Sequence, residues 1–270
     1  VGDSTVCAMT IDDATYCIGR NDNNQFGLAG DNSNYSQLTS ILTGEISSQI
    51  VIGSQHTCYL QADNGAAHCV GYNGSSQIGD GTVTSRDTFQ TVTGGHSFSS
   101  LTAGSFFTCG IASPTTTPSS DAGKAFCWGG NSNGQLGEGS PVGTDSSTPV
   151  LASSTLTFSS LRAGDGHVCG ITTVGRLYCW GGNWSGQVGV DPASSIAVSV
   201  PTQIGTGTNW AGISVGGNNS CGYTAATRTM AATTSCWGDR IAIGNGLPAY
   251  VNTPTKLPES GWLAVAIGGG

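Results

Sequence analysis

The chain has 270 residues, of which 43 are glycine and only 9% are charged. Its 8 Lys and Arg residues against 16 Asp and Glu residues give a net charge of −8, which excludes the clustered basic surface that nucleic-acid binding needs. No apolar run is long enough to cross a bilayer, so we expect no direct membrane insertion. Val1 is not followed by a charged and then apolar leader, as expected of a mature or excised product.

A pattern of glycine and cysteine repeats along the whole chain. In each repeat a glycine stands five positions before the first cysteine, and a second cysteine is followed two positions later by glycine. The leading glycines lie 51 to 60 residues apart and are Gly2, Gly53, Gly104, Gly164 and Gly216. The predicted units are 1–50, 51–101, 102–161, 162–213 and 214–265, and 266–270 begin a sixth unit or form a ring-closing strand. Such periodicity is the signature of a repeat architecture.

Each unit contains segments that are typical of short strands. HTCYL, FTCGI and HVCGI carry β-branched and aromatic residues, and AFCW or LYCW follows after a turn, which predicts a β-hairpin. The third unit is longer because of Ser113–Gly123, which we interpret as an extended hairpin tip. About 50 residues suffice for a four-stranded propeller blade. The sequence therefore predicts an all-β propeller with five visible repeats, and the fixed spacing disfavours both a disordered chain and an irregular disulfide array.

The cysteine count agrees with one disulfide in each blade. The 10 cysteines occur two per unit, on neighbouring strands of one hairpin, where facing positions are within disulfide reach. The predicted pairs are Cys7–Cys17, Cys58–Cys69, Cys109–Cys127, Cys169–Cys179 and Cys221–Cys236. Structural zinc is disfavoured because no C-x-x-C pair occurs, and a catalytic thiol because no cysteine is left over. We expect neither a metal nor a cofactor.

The segment AGDGHVCGITTVGRLYCWGGNWSGQVG resembles the repeats of the regulator of chromosome condensation family, which form β-propellers. The resemblance extends over five units, and the paired cysteines are similar to its secreted branch, found in bacterial surface proteins and crinkly-type plant receptor ectodomains. It implies an extracellular or cell-surface location, a protein or glycan partner and no enzymatic activity. The exchange-factor activity and chromatin binding of nuclear members are not implied, because the disulfides and the acidic balance argue against them.

The number of blades remains open. Family members usually have seven, whereas this chain has five periods and then ends in LAVAIGGG, the opening of a sixth unit, in which Ile267–Gly268 repeat the role of Val1–Gly2. The terminal segment Trp262–Ile267 could complete the blade begun at Val1 and close a five-bladed ring, which we favour. Alternatively, the chain is part of a longer propeller, or the segment pairs with a neighbouring chain, since an unpaired edge invites strand addition.

The sequence argues against a catalytic role for its most suggestive histidines and carboxylates. His56 and His167 stand two positions before a first cysteine, where other units have Thr5, Phe107 or Asn219, so we interpret this position as one of packing or hydrogen bonding. Asp12–Asp13 are expected to solvate a hairpin turn, and no calcium-binding loop of EF-hand spacing occurs. The sequence shows no convergent acid, base and nucleophile, which argues against an enzyme.

The tryptophans divide into core and surface candidates. Trp128, Trp180 and Trp237 follow second cysteines where the other units have Ile18 and Val70, so this position is predicted to be core. Trp184 lies in a loop where another unit has serine, and it is the candidate for surface binding by stacking on a sugar or a protein partner.

Several residues are candidates for glycosylation. N-x-S/T sequons occur in predicted turns at Asn34, Asn73, Asn183 and Asn218. The segment SPTTTPSS is a candidate for O-linked sugars at Thr115, Thr116 and Thr117.

Two function classes follow. The first is an extracellular recognition or adhesion module of a surface protein, binding a protein or glycan through propeller loops. The alternative is a self-associating structural subunit of an extracellular filament that polymerises through its terminal strand.

Overall fold

The computed structural model describes residues 4–11, 14–42, 44–114, 120–140, 142–226, 231–239 and 250–257. In these ranges the regular elements are nineteen β-strands, arranged in five antiparallel sheets whose strand order follows the chain. No helix in the described ranges is long and apolar enough to span a bilayer. The predicted all-β propeller fold is confirmed.

The sheets have the following strands. The first contains β1 (Thr5–Met9), β2 (Thr15–Gly19) and β3 (Tyr35–Leu42). The second contains β4 (Ser47–Ile52), β5 (His56–Gln61), β6 (Ala67–Gly71) and β7 (Arg86–Thr91). The third contains β8 (Phe98–Ala103), β9 (Phe107–Ala112), β10 (Ala125–Gly129) and β11 (Ser146–Leu151). The fourth contains β12 (Phe158–Ala163), β13 (His167–Thr172), β14 (Leu177–Gly182) and β15 (Ala197–Gln203). The fifth contains β16 (Trp210–Gly216), β17 (Asn219–Thr224), β18 (Thr234–Gly238) and β19 (Val251–Lys256).

The strand register places the two cysteines of each sheet directly opposite one another. In the first sheet, for example, Cys7 faces Cys17 across the β1–β2 ladder. All ten cysteines form disulfides, and the five predicted pairings are confirmed. Each bond closes a loop of 10 to 18 residues, which the chain-entropy model values at about 3 kcal/mol.

The inner strand of each four-stranded sheet comes from the residues just before the repeat glycine. β4, β8, β12 and β16 end at or beside that glycine and contact one another in series, with β1 packed against β4. Each four-stranded sheet therefore starts a few residues before the corresponding predicted repeat unit; the second sheet, for example, starts at Ser47 and the second unit at residue 51. The first sheet begins at β1, whose inner edge has no strand partner among the described residues.

The apolar core is divided into layers, each between two consecutive sheets. Trp128, Trp180 and Trp237 are fully buried in three of these layers, as predicted. Each indole nitrogen donates a hydrogen bond to a backbone carbonyl of the preceding sheet's loop, as Trp180 Nε1 does to Gln135 O at 2.9 Å. Val70 is also buried, whereas Ile18 is only half-buried.

The layer between the first two sheets is filled by a different aromatic residue from the layers that follow. In the third sheet, which serves for comparison, the Phe98 ring from the inner strand covers Gly110, where a Cβ would lie 2.5 Å from Phe98 Cδ1. The second sheet has Ser47 at the inner-strand position and Tyr59 at the glycine position, so its aromatic ring comes from the neighbouring strand. Tyr59 packs edge-on against Phe89 with ring centroids 5.0 Å apart.

Candidate functional site

Two groups of loops meet at one end of the sheets. The first group joins each inner strand to the next strand, as at Ser54, Ser105 and Asp165. The second group leads to the outermost strand of each sheet. Its loops follow β2, β6, β10 and β14 and begin at Arg20, Tyr72, Gly130 and Asn183. We call this end the loop face, and the opposite end, with hairpins such as the one at Val174, the hairpin end.

A buried asparagine shapes each long loop. Asn73 Oδ1 accepts the backbone N–H of Ile78 at 2.9 Å, while its Nδ2 donates to the carbonyls of Thr82 and Thr84 at 3.0 and 3.1 Å. The equivalent asparagines accept the N–H five residues later in the same way and are Asn21, Asn131 and Asn183. Because one side chain satisfies backbone groups at both ends of the loop, the loop is held without a strand or helix.

This role corrects two of the glycosylation predictions. Asn73 and Asn183 are fully buried, and Asn183 Nδ2 donates to the carbonyls of Val190 and Ser195 at 3.1 and 2.8 Å. A glycan needs that nitrogen at the surface, so both predictions are wrong for the folded chain. Asn34 is exposed and Asn218 is half-buried, so these two remain predictions. Thr115, Thr116 and Thr117 lie outside the described residues, as do Asp12–Asp13 and Trp262–Ile267.

Beneath the loop face, two histidines connect neighbouring sheets. His56 Nε2 lies 2.8 Å from Thr108 Oγ1 of the third sheet, and His167 Nε2 lies 2.9 Å from Ser220 Oγ of the fifth. The Ser220 hydroxyl donates its proton to the Gln187 carbonyl at 2.9 Å. The Ser220 oxygen therefore accepts a hydrogen bond from His167, whose Nε2 carries the proton. In the third sheet Phe107 stands in place of the histidine, and in the fourth sheet Val168 stands in place of the hydroxyl residue. Across each of these boundaries between sheets, the two facing residues are therefore either both polar or both apolar.

These rings explain the leading glycine of the repeat. A Cβ on Gly164 would lie 2.6 Å from His167 Cε1 and 2.7 Å from the Gly217 carbonyl oxygen of the next sheet. Gly53 and Gly104 are confined in the same way by His56 and Phe107. Only a residue without a side chain leaves room for the ring and for the neighbouring sheet.

The buried histidines are held in the neutral form. Burial lowers the pKa of His56 to about 4 and that of His167 to about 3. Neither side chain is exposed to solvent, and neither has a buried carboxylate as hydrogen-bond partner. Their geometry matches the predicted packing and hydrogen-bonding role.

Several aromatic side chains are exposed on the loop face. Trp184 is 47% exposed, Tyr250 is 45% exposed and Phe106 is 40% exposed, and Tyr72 is exposed on the second sheet. The exposure of Trp184 agrees with its selection from the sequence, whereas Tyr72, Phe106 and Tyr250 were missed. Phe106 occupies a position held by Ser4, Gln55, Gly166 or Asn218 in other units, and this contrast is the signal that could have revealed it.

Backbone hydrogen bonds fix the inner loops to one another. Ser54 N donates to Ser105 O at 3.3 Å, Ser105 N to Asp165 O at 3.1 Å, and Asp165 N to Gly217 O at 3.2 Å. The series connects four consecutive sheets, so the aromatic residues stand on a framework that does not rely on loop side chains alone.

A separate groove lies at the hairpin end between the first two sheets. It has a volume of about 470 Å³ and is lined by Glu45, Tyr59, Gln61, His68 and Phe89, among others. The Tyr59 and His68 rings stack with centroids 4.9 Å apart. Burial, and secondarily the Glu45 carboxylate, raise the pKa of Tyr59 to about 12. No cluster of three metal-ligating side chains occurs here or elsewhere in the part of the chain that the structure describes.

Comparisons with known proteins agree with the repeat architecture. Residues 122–171 and 158–187 match models described as "Regulator of chromosome condensation (RCC1) repeat". The Arabidopsis thaliana ultraviolet-B receptor UVR8 is 30% identical over 207 residues, which are 74% of this chain and 45% of the receptor. The chain thus spans less than half the length of this relative.

Solved structures show the same fold. In the structure of Kap60 bound to yeast RCC1 (Prp20), the match covers all of this chain and 65% of the matched chain, with a TM-score of 0.80 at 19% identity. The ectodomain of the Physcomitrella patens receptor kinase CR4 matches 99% of this chain and 54% of its counterpart, with a TM-score of 0.57 at 23% identity.

Proposed function

Since this chain carries repeats of the regulator of chromosome condensation family, we propose that it is a recognition module that binds another protein through its loop face. The exposed aromatic side chains of Tyr72, Phe106 and Trp184 on that face carry the proposal. Aromatic residues are enriched where proteins bind partners, because they supply a large contact area with little loss of side-chain entropy. The role is binding and not catalysis.

The scaffold suits an extracellular location. Five disulfides brace the five sheets, and such bonds persist in oxidising compartments. The fold likeness to a plant receptor ectodomain supports the same location. We propose that the module is secreted or displayed on a cell surface, where it serves recognition or adhesion.

Glycosylation is part of this proposal. Asn34 is exposed, and Asn218 is half-buried at the loop face. We expect sugars at Asn34 first, with Asn218 and Thr115–Thr117 as further sites. Intact mass before and after deglycosylation of material from the native source tests this, and an unchanged mass would remove it.

The function is tested with variants that remove the aromatic rings without disturbing the core. Trp184→Ser copies Ser132 of the preceding unit, and Phe106→Gln copies Gln55. Val174→Ser is the matched control, because Val174 is 65% exposed at the hairpin end. Each immobilised protein is incubated with solubilised surface proteins of the source organism, and in parallel with a glycan array.

Proteins retained by the native chain and by Val174→Ser but lost with the two loop-face variants are the expected result. Equal retention by all four proteins would refute the loop face as the binding surface. Loss of glycan binding in the same two variants, without any protein, would replace the protein partner with a sugar.

A second candidate is a self-associating subunit of a filament, favoured by the inner edge of β1, which has no strand partner among the described residues. Val6 is 45% exposed and Met9 is 39% exposed, whereas the residues equivalent to Val6 in the other sheets are buried, including Thr57 and Thr108. The segment Trp262–Gly268 repeats the pattern of β16 and is the natural occupant of this edge.

The occupant can come from the same chain or from a neighbour. Within one chain, Trp262–Ile267 would complete the first blade and close a five-bladed ring, which we favour; between chains, it would produce a filament. Electron microscopy and sedimentation of the full chain, compared with a chain ending at residue 257, distinguish the two. Filaments that vanish on truncation support the second candidate, while monomers in both samples refute it.

A further inference from the structure

The groove at the hairpin end exists because the second sheet departs from the repeat. In the third sheet Phe98 stands on the inner strand at the position that Ser47 has in the second. The third sheet also has His96, whose ring packs on Phe126 with centroids 4.2 Å apart, and the equivalent of His96 in the second sheet is Glu45. Polar side chains therefore border an open groove of about 470 Å³ where the next sheet packs aromatic rings. This volume lies in the range of small-molecule sites.

The hydroxyl of Tyr59 opens into this groove. Tyr59 is only 4% exposed, and its ring is stacked on His68 and packed against Phe89. Burial raises the pKa of Tyr59 and the Glu45 carboxylate adds to this rise, so the hydroxyl lies on the Glu45 side of the groove. The hydroxyl has no hydrogen-bond partner among the described residues. Because buried polar groups are normally hydrogen-bonded, this oxygen is left for a group that enters the groove.

The histidine in the groove supplies no positive charge. His68 Nε2 lies 3.1 Å from the acceptor Gln61 Oε1, so Nε2 carries the ring proton, and Nδ1 accepts from the Thr91 hydroxyl at 3.3 Å. Burial lowers the pKa of His68, although the Glu45 carboxylate opposes this. The groove therefore has a carboxylate and a neutral imidazole, with no cationic side chain among the described residues that line it.

A second carboxylate borders the continuation of the groove. The adjoining part has a volume of about 340 Å³ and is lined by Glu45, Gln61 and Asp63, among others. Because Glu45 and Gln61 line both parts, the two carboxylates border one continuous groove. Both are exposed, and neither forms an ion pair within the described part of the chain. The groove thus carries negative charge at two places along its length.

We propose that this groove binds a small diamine, with one ammonium group held by the Glu45 carboxylate and the Tyr59 hydroxyl oxygen, and the other by Asp63. An ammonium group has three N–H donors and no acceptor, which suits a lining of acceptor oxygens without a cation. A molecule with a single ammonium group would leave one carboxylate unused. The groove lies at the end opposite the loop face, so this site does not depend on the proposed function.

The aromatic rings of the groove argue against a sugar. Sugars stack on open ring faces, whereas the Tyr59 ring is covered by His68. The Phe89 ring lies against Gly27 of the first sheet, where a Cβ would lie 2.7 Å from Phe89 Cε2. Charge and hydrogen bonding, and not stacking, are therefore what the groove offers a ligand.

The test is isothermal titration calorimetry of the full disulfide-bonded chain with putrescine. N-acetylputrescine has a single ammonium group, and butanediol has hydroxyls in place of both. The variants are Glu45→Gln, Asp63→Asn and Tyr59→Phe, the last of which keeps the ring and its stack on His68. Glu138→Gln is the matched control, because it removes one exposed carboxylate at the loop face. Thermal melting of each variant shows that the fold is intact.

We expect putrescine to bind saturably, N-acetylputrescine to bind more weakly and butanediol not to bind. Glu45→Gln should weaken putrescine binding between roughly tenfold and a hundredfold, the range for hydrogen bonds to charged groups. Tyr59→Phe should weaken it between roughly twofold and tenfold, as for a neutral hydrogen bond. Asp63→Asn should weaken it by up to about fivefold, as for an exposed ion pair. Glu138→Gln should leave the affinity unchanged.

Equal affinity for putrescine in all variants would overturn the proposal, because general attraction to an acidic chain would then explain the binding. Absence of saturable putrescine binding by the native chain would also overturn it. N-acetylputrescine binding as tightly as putrescine would refute the diamine and the role of Asp63. Trp184→Ser should bind putrescine like the native chain, which keeps this result separate from the test of the loop face.

Discussion

The two buried histidines make the fold sensitive to acid. In the unfolded chain a histidine has a pKa near 6.5, whereas burial lowers it to about 4 at His56 and about 3 at His167. Between these values the unfolded state binds more protons than the folded state, so the free energy of unfolding falls as the pH falls. The stabilisation is complete above pH 6.5 and is lost as the pH drops through the folded pKa values.

The magnitude follows from the two pKa differences. A difference of one corresponds to 1.36 kcal/mol. Lowering the pKa from 6.5 to about 4 therefore makes about 3 kcal/mol of the free energy of unfolding pH-dependent for His56. The same arithmetic gives about 5 kcal/mol for His167, whose pKa is about 3.

The chain itself contains the replacement that tests this. The double variant His56→Phe/Thr108→Val copies the Phe107 and Val168 pair, which fills the same position between the third and fourth sheets. We expect the variant to lose about 3 kcal/mol of the pH dependence below pH 6.5, while remaining folded at neutral pH. The measurement is guanidinium unfolding with disulfides intact, from pH 7.5 to pH 3.5.

The half-buried His68 supplies the control. His68→Gln should change the pH dependence less, because His68 is only half-buried and the Glu45 carboxylate opposes the lowering of its pKa by burial. Carboxylates also titrate in this range, so the difference between variant and native chain is the relevant quantity. If both have the same dependence on pH between 6.5 and 4, burial of His56 does not control acid stability and the argument is refuted.

Three further predictions concern the packing, and each is measured by chemical unfolding with disulfides intact. Trp180→Ala should lower the free energy of unfolding by about 3–5 kcal/mol, because it empties a fully buried site and removes the hydrogen bond to Gln135 O; a loss under 1 kcal/mol would contradict this. Gly164→Ala should cost at least about 1–3 kcal/mol, since its Cβ would meet backbone as well as a ring, and an unchanged midpoint would show that the sheets yield easily. Asn131→Ala should cost about 1–3 kcal/mol by leaving the Leu136 N–H unpaired and should speed proteolysis in that loop, whereas a resistant loop would refute the proposed role of the asparagine.

Local features of the sequence were enough to predict the hairpins and the disulfides. The two cysteines of a unit are 10 to 18 residues apart and lie on strands joined by one turn. Their pairing is therefore decided within a single hairpin, and the repeat restricts the alternatives. The core tryptophans were predictable for the same reason, because the residues aligned at this position are all apolar.

Contacts across the long loops and between units escaped the local analysis. The asparagines of the sequons at Asn73 and Asn183 resembled surface acceptors because a sequon is three residues long, whereas the carbonyls that bury these amides lie 7 to 12 residues further on. Phe106 was missed because its exposure depends on where the inner loops of adjacent blades end. The alternation of Phe–Val with His–Thr and His–Ser pairs is present in the sequence, but it becomes visible only when each unit is compared with the next.

By itself, the sequence determined the repeat length, the strand-rich composition, the cysteine pairing and the identity of the residues that fill each blade, because these depend on interactions within about 50 residues. Only the tertiary structure decided which polar side chains are buried, which strand joins which sheet, and that Phe106, Asp165 and Trp184 share one face. Those outcomes depend on the stacking of whole sheets, where a residue in one unit meets a residue more than 50 positions away, as His56 meets Thr108.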